Sequence, residues 1–417
     1  MNRELGISIL DQAMMSGFSL ALNLAMIALA SPKEFGFFVI VLTAMLILQA
    51  AQNALITQPL NFLLPGRDAQ TQDRELVMLS GINRLMVVLA LVLACTLAWF
   101  YEARPLLAVA IAFYLAMTVM RDYTRDIFIV RGQVARTFVQ DMVFILSSIC
   151  AAALLWRNTD PVTAVVAGLG VGNVVALAVC RPGTGKRRSR MTEYLSAYRD
   201  VWTYTKWALL SGMQTEGQTR GYVFITEAWK GAATLGMLQV GRMLLAPLLL
   251  IAAAWGRIAR PRMVAHFHNS RPGEAYAILG GGVLIILVMS LVYGAAVAAA
   301  WSLIEQYIFR ERYGDMRMMA AVWWLYTTVC ALNSCAATLL EVQRRFRALA
   351  MLEMATAALC IGVLLALSLT ALPTISVVIT LVVVQTIYGL GMLAIIVRGE
   401  PGGKLPDAAL SQEGVRP

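Results

Sequence analysis

Residues 206–227 read KWALLSGMQTEGQTRGYVFITE, and the reading of this stretch decides the fold. Its middle carries Gln214, Glu216, Gln218 and Arg220, in a chain that is 59% hydrophobic. Hydropathy alone would make it a surface segment, but apolar stretches surround it. A helix this polar crosses a bilayer only where it faces protein or a water-filled cavity, because lipid offers its polar groups no partner. Read as a membrane helix, it implies that the chain encloses a hydrophilic pathway. That points towards transport.

The rest of the sequence supports a membrane setting. Only 14% of the 417 residues are charged, against about a quarter in soluble domains. The mean hydropathy is +0.70. An apolar run of about 20 residues spans a bilayer. Twelve spans follow, at roughly 10–30, 36–62, 76–100, 105–123, 137–156, 161–180, 206–227, 233–256, 275–300, 318–340, 348–371 and 374–397. Residues 1–30 lack a basic leader and an A-x-A site, so the first helix is expected to be retained. The expected class is an all-α polytopic membrane protein.

With the N-terminus inside, 25 Lys and Arg residues fall on the inner side and seven on the outer, leaving Arg220 and Arg242 within helices. This asymmetry follows the positive-inside rule and places both termini in the cytoplasm. The run Lys186–Arg190 reads as an inner anchor against anionic lipid. Cys95, Cys150, Cys180, Cys330, Cys335 and Cys360 all fall in apolar helices, and no disulfide framework is implied.

The longest inner connection divides the chain into residues 1–180, a six-helix bundle; 181–204, a cytoplasmic linker; 205–398, a second six-helix bundle; and 399–417, a cytoplasmic tail. The halves resemble each other. Ser16-Gly17 and Ser211-Gly212 lie early in helices one and seven. The turns Ser31–Gly36 and Trp229–Gly236 follow those helices. QVARTFVQDM at 133–142 lies over RFRALAMLEM at 345–354, setting Asp141 over Glu353. The consistent order indicates two parallel repeats, a construction common in secondary transporters.

Polar residues form stripes within these helices. Gln12, Ser16, Ser19 and Asn23 share one face of helix one, and Gln49, Gln52 and Asn53 repeat the device on helix two. Each alone reads as inter-helix glue. Stripes on helices one, two and seven together indicate a lined cavity. Arg220 lies roughly 10 Å and Arg242 roughly 15 Å below the outer face. A mid-helix arginine costs about 2.5–3.5 kcal/mol on insertion scales. Glu216 stands four residues before Arg220, the favourable order for an ion pair. No acidic residue lies within a turn of Arg242 in the sequence. Asp11, Arg84, Asp141, Lys206 and Glu353 sit near the inner interface and read as gate, ion-coupling or anchor residues that snorkel to water.

Other chemistries are poorly represented. GTGK at 183–186 fails the phosphate-loop pattern, with Cys180 and Arg187 at the two required positions. The only histidines, His266 and His268, lack companions for a metal site, so neither a metal nor a cofactor is expected. The outward loops are too short for a catalytic domain, and the chain is not expected to be an enzyme.

The residues L10-D11-Q12-A13, S16-G17, S31-P32-K33-E34-F35-G36-F37 and Q52-N53-A54-L55-I56 resemble the Wzx-type polysaccharide flippases. These belong to the superfamily of multidrug, oligosaccharidyl-lipid and polysaccharide exporters. The match covers about the first 65 residues, and the twelve-helix pattern extends it over the chain. The resemblance implies a V of two bundles, with helices one, two, seven and eight lining a central cavity. It also implies a bacterial inner-membrane protein that moves undecaprenyl-diphosphate-linked oligosaccharides outward. In that reading Arg242 and Arg220 hold the diphosphate through two-pronged contacts. Gln12, Ser16, Asn23 and Gln214 face the sugar, with Gln218, Gln52 and Asn53 on the same substrate path. Glu216 orients Arg220. Membrane lipid is a further partner, with a polysaccharide polymerase and chain-length proteins as possible neighbours. The alternatives are a cation-coupled drug exporter of the same fold, with carboxylates dominating its cavity, and a non-transporting envelope scaffold, with its polar faces sealed.

Overall fold

A computed structural model describes residues 2–64, 69–181, 191–309, 316–343 and 345–398. The Lys186–Arg190 run, the GTGK segment, Arg310, Arg312 and the 399–417 tail lie outside the described residues. Among the described residues every regular element is helical. We number the long helices α1 (Asn2–Leu29), α2 (Pro32–Leu63), α3 (Ala69–Phe100), α4 (Pro105–Val130), α5 (Val134–Leu155), α6 (Pro161–Val179), α7 (191–230), α8 (232–268), α9 (Pro272–Ala299), α10 (Arg317–Val342), α11 (Phe346–Ser368) and α12 (Ile375–Arg398).

Among the described residues, eleven helices are long and apolar enough to cross a membrane. One of them, Thr205–His268, has 64 residues, a length of about 95 Å at 1.5 Å per residue. A bilayer core is about 30 Å thick, so this helix holds two crossings. The break is at Gly231, with φ 81° and ψ 167°, a conformation that side chains with a Cβ avoid. Splitting there gives α7 and α8, hence twelve crossings. The polar stretch is therefore helical and, at Thr205–Lys230, long enough for a crossing of its own.

Two boundaries differ from the sequence reading. α4 continues to Val130 rather than ending near residue 123, because its terminal charges find partners on neighbouring helices. α7 begins at Met191, within the 181–204 connection.

The chain forms two compact units. Unit 1 holds Met1–Phe224 and Gly231–Gly236; unit 2 holds Ile225–Lys230 and Met237–Pro417. In unit 1, α2 starts with a capping box. Glu34 N–H donates to the Ser31 hydroxyl, and Ser31 N–H donates to the Glu34 carboxylate, which satisfies two backbone donors that the first turn leaves free. Gly36 then meets the first turns of α8. A Cβ at Gly36 would collide with the Ala232 carbonyl, and one at Gly236 with the Pro32 carbonyl. The first turns of α2 and α8 thus touch through these glycines. α5 and α6 pack closely because Gly168 and Gly172 sit against Ala152 and Ser148, the small-residue spacing that lets membrane helices approach.

Unit 2 uses tryptophan against glycine. Gly282 receives Trp255, and Gly294 receives Trp324, whose indole N–H donates to the Ser290 carbonyl at 3.0 Å. Asn333 donates to the Gln385 carbonyl at 2.8 Å and joins α10 to α12. Beside Pro247, the Leu244 carbonyl accepts the Tyr293 hydroxyl at 2.7 Å.

Candidate functional site

The widened turn in α2 begins the site. Proline at 59 has no N–H to give the Leu55 carbonyl one turn back, and that carbonyl instead accepts the Tyr198 hydroxyl of α7 at 2.6 Å. Just before it, the helix opens over Asn53–Thr57, and Gln58 N–H bonds the Asn53 carbonyl five residues back. Such bulges rotate the side chains that follow and recur at functional sites. Here Asn53 and Thr57 of the bulge, and Gln52 just before it, line a cavity.

Together with Gln12, Met15, Gln49, Arg121, Asp122, Arg125 and Asp126, these residues line a cavity of about 330 Å³ within unit 1. The α4 contribution comes from residues 121–126, RDYTRD. The Arg-Asp pair recurs after four residues, so the two arginines form one row on α4 and the two aspartates the row beside it.

Most of these charges are held in place. Arg121 donates through one terminal nitrogen to Asp122 at 3.2 Å. Its guanidinium carbon lies 3.8 Å from the centre of the Phe144 ring, a cation–π contact strengthened by exclusion of water. Gln49 donates to the other Asp122 oxygen at 2.6 Å, and Thr57 donates to Asp126. Gln52 spends its amide nitrogen on Asn83 and on the Val119 carbonyl, at 3.1 and 2.8 Å. Arg125 bridges Asp141 of α5 at 2.7 Å and Asp11 of α1 at 2.9 Å.

The expected site residues thus separate. Gln12, Gln52 and Asn53 meet around the cavity. Ser16 lies next to Gln12, which reaches it at 3.5 Å, whereas Asn23 is buried and bonds the Ser19 carbonyl. Asp11 and Asp141 do not snorkel: they are 5% and 0% exposed and share Arg125. Glu216 and Arg220 form the expected i,i+4 pair at 2.5 Å. Those two, with Gln214 and Gln218, are half-buried. Arg84 is exposed, 5.9 Å from the Tyr194 ring centre, and Lys206 is exposed beside Trp207. In unit 2, Arg242 is half-buried on α8, and Glu353 accepts the Tyr388 hydroxyl at 3.0 Å. His266 pairs with Glu274 at 2.7 Å.

The sequence reading missed Arg121, Asp122, Arg125 and Asp126. It had counted the two arginines among inner-side charges. The four-residue recurrence of Arg-Asp was the available signal.

No family model matches the chain, and no curated protein sequence matches it. Solved structures do. An inward-facing multidrug resistance MATE family transporter of the MOP superfamily superposes with a TM-score of 0.69 at 12% identity, over 91% of this chain and 93% of that one. The lipid II flippase MurJ, in an inward closed conformation, gives 0.69 at 10% identity, over 94% of this chain and 87% of that one. An outward-facing MATE family transporter gives 0.57 at 15% identity, over 95% and 94%. At such identities the likeness is one of fold. The chain is a multi-pass helical membrane protein. Its fold is the one these MATE transporters share with the MurJ flippase.

Proposed function

We propose that this chain flips undecaprenyl-diphosphate-linked oligosaccharide repeat units outward across the bacterial inner membrane by alternating access, for surface polysaccharide, exopolysaccharide or O-antigen synthesis. One observation carries the reading: a charged and amide-lined cavity stands inside a membrane bundle whose fold is shared with a lipid II flippase. Gln, Asn and Arg side chains suit sugar hydroxyls and phosphate oxygens. Arg242 is our proposed phosphate contact, since a guanidinium engages two phosphate oxygens at once. The apolar tail stays in lipid, and a polymerase with its chain-length partner takes the product.

A second reading has support in one feature. Asp122 and Asp126 line the cavity, as a cation-coupled multidrug exporter would require. The two arginines in the same wall weaken that support, since they repel a cationic drug. Gene deletion separates the two. The flippase reading expects loss of surface polysaccharide and accumulation of the lipid-linked unit on the inner leaflet. Normal polysaccharide with raised sensitivity to cationic drugs would establish the exporter instead.

A further inference from the structure

The cavity of unit 1 pairs donors and acceptors in a way that selects one kind of ligand. Arg121 is 5% exposed, and its Nε and Nη1 have no hydrogen-bond partner. Gln52 is 2% exposed, and its Oε1 has none either. Both side chains line the cavity, as do Asp122 and Asp126. Buried polar groups are seldom left unpaired, since each forfeits the hydrogen bonds that water would give it. Those three atoms are closed off from the cavity itself, whereas the open wall offers donors on Gln12, Asn53 and Arg125 and acceptors on Asp122 and Asp126.

Charge narrows the choice. Arg121, Arg125, Asp122 and Asp126 line the cavity, and Asp11 and Asp141 both pair with Arg125. The immediate surroundings therefore carry four carboxylates and two guanidiniums, a poor place for a diphosphate. A bare cation gains from the excess of carboxylates, but Asp122 is already engaged by Gln49 and Arg121, and Asp126 by Thr57. The cation needs a shell of oxygens, and two guanidiniums stand in the wall. A hydroxyl suits both walls, because it donates to carboxylate and accepts from guanidinium or amide. The volume, about 330 Å³, is roughly eleven times the liquid share of a water molecule, room for a sugar ring and more.

We propose that this cavity is a carbohydrate subsite, in which Asp122, Arg125 and Asp126 of α4, with Gln12 and Asn53, meet a neutral, polyhydroxylated ring. The proposal deepens the flippase reading and rests on it for the identity of the substrate. It separates the sugar from the diphosphate, which binds elsewhere.

The test uses purified full-length protein carrying Asn53→Cys, with the parent chain as control for the six native cysteines. Three methanethiosulfonates are compared: a neutral glucosyl reagent, an anionic sulfonatoethyl reagent and a cationic trimethylammonioethyl reagent. Each rate is normalised to that on free cysteine. The glucosyl reagent should be favoured about tenfold over both charged ones, the effect of one good hydrogen bond. Gln12→Ala, at an exposed position, should reduce the glucosyl rate alone. Asp126→Asn should raise the sulfonatoethyl rate. Fastest modification by the anionic reagent would make this a phosphate site, and by the cationic reagent a coupling site; either overturns the proposal, as does equal reactivity of all three. Export is measured separately. A glucosyl preference in a chain whose deletion leaves surface polysaccharide intact would sink the flippase reading and leave the subsite standing.

Discussion

Replacing Arg125 by methionine should be among the most damaging single changes in unit 1, and two further substitutions should repair it. Arg125 Nε reaches Asp141 at 2.7 Å, and a terminal nitrogen reaches Asp11 at 2.9 Å. Asp141 is fully buried and Asp11 nearly so. Arg125→Met keeps much of the side-chain volume but strands two carboxylates with no counter-charge. Breaking a buried ion pair from one side costs about 3–5 kcal/mol, a large part of the roughly 5–15 kcal/mol that holds a domain together. Asp141→Asn and Asp11→Asn each remove one stranded charge. An intact neutral trio is often no less stable than the ionic one it replaces. The triple variant should therefore recover most of the loss, although each asparagine change alone should destabilise. Denaturation of the purified protein in mild detergent, read beside its abundance in membranes, supplies the numbers. A single Arg125→Met variant as stable as the parent would refute the argument. So would asparagine substitutions whose losses simply add to that of Arg125→Met, because contacting charges must couple.

Four more outcomes are expected. Cysteines at Ser189 and Gln412 should resist an impermeant thiol reagent in intact cells while one at Gln306 labels, and ready labelling at Ser189 would undo the inside placement drawn from the 25-to-7 basic asymmetry. Gly36→Ala should lower folded protein sharply, because its methyl group meets the Ala232 backbone, while Gly17→Ala, with nothing within 4 Å of its added carbon, should be silent; equal behaviour of the two would contradict the packing. Cysteines at Gln214 and Gln218 should react with a small polar thiol reagent, and inertness of both in every transport state would leave helix α7 sealed. Arg242→Ala should stay in the membrane yet abolish export, with Arg242→Lys restoring it in part, since an ammonium lacks the two-pronged geometry; full export by a well-expressed Arg242→Ala would make that arginine structural.

The helices were legible because lipid imposes a rule that sequence alone can express: about 20 apolar residues in a row, with every backbone group satisfied within the segment. Residues 206–227 break the apolar half of that rule, and the break at Gly231 is what makes them a separate crossing. The site was only half legible. Gln12, Gln52 and Asn53 could be read as stripes because their spacing is local. The burial of Asp141 could not, since it depends on an arginine 16 positions away, and that of Asp11 depends on the same arginine 114 positions away. Hydropathy also misplaced the end of α4, because a scan stops at the first charge and cannot see that Phe144 and Asp122 await Arg121. Yet one signal was available. Four charges fit near the end of a membrane helix when their signs cancel locally and each row of them meets a partner helix, and the four-residue recurrence in RDYTRD supplies two such rows. The same cancellation that lets these residues enter the bundle leaves the cavity wall with donors beside acceptors. The charge pattern that α4 needs in order to be a membrane helix is thus the pattern that suits a neutral hydroxylated ligand.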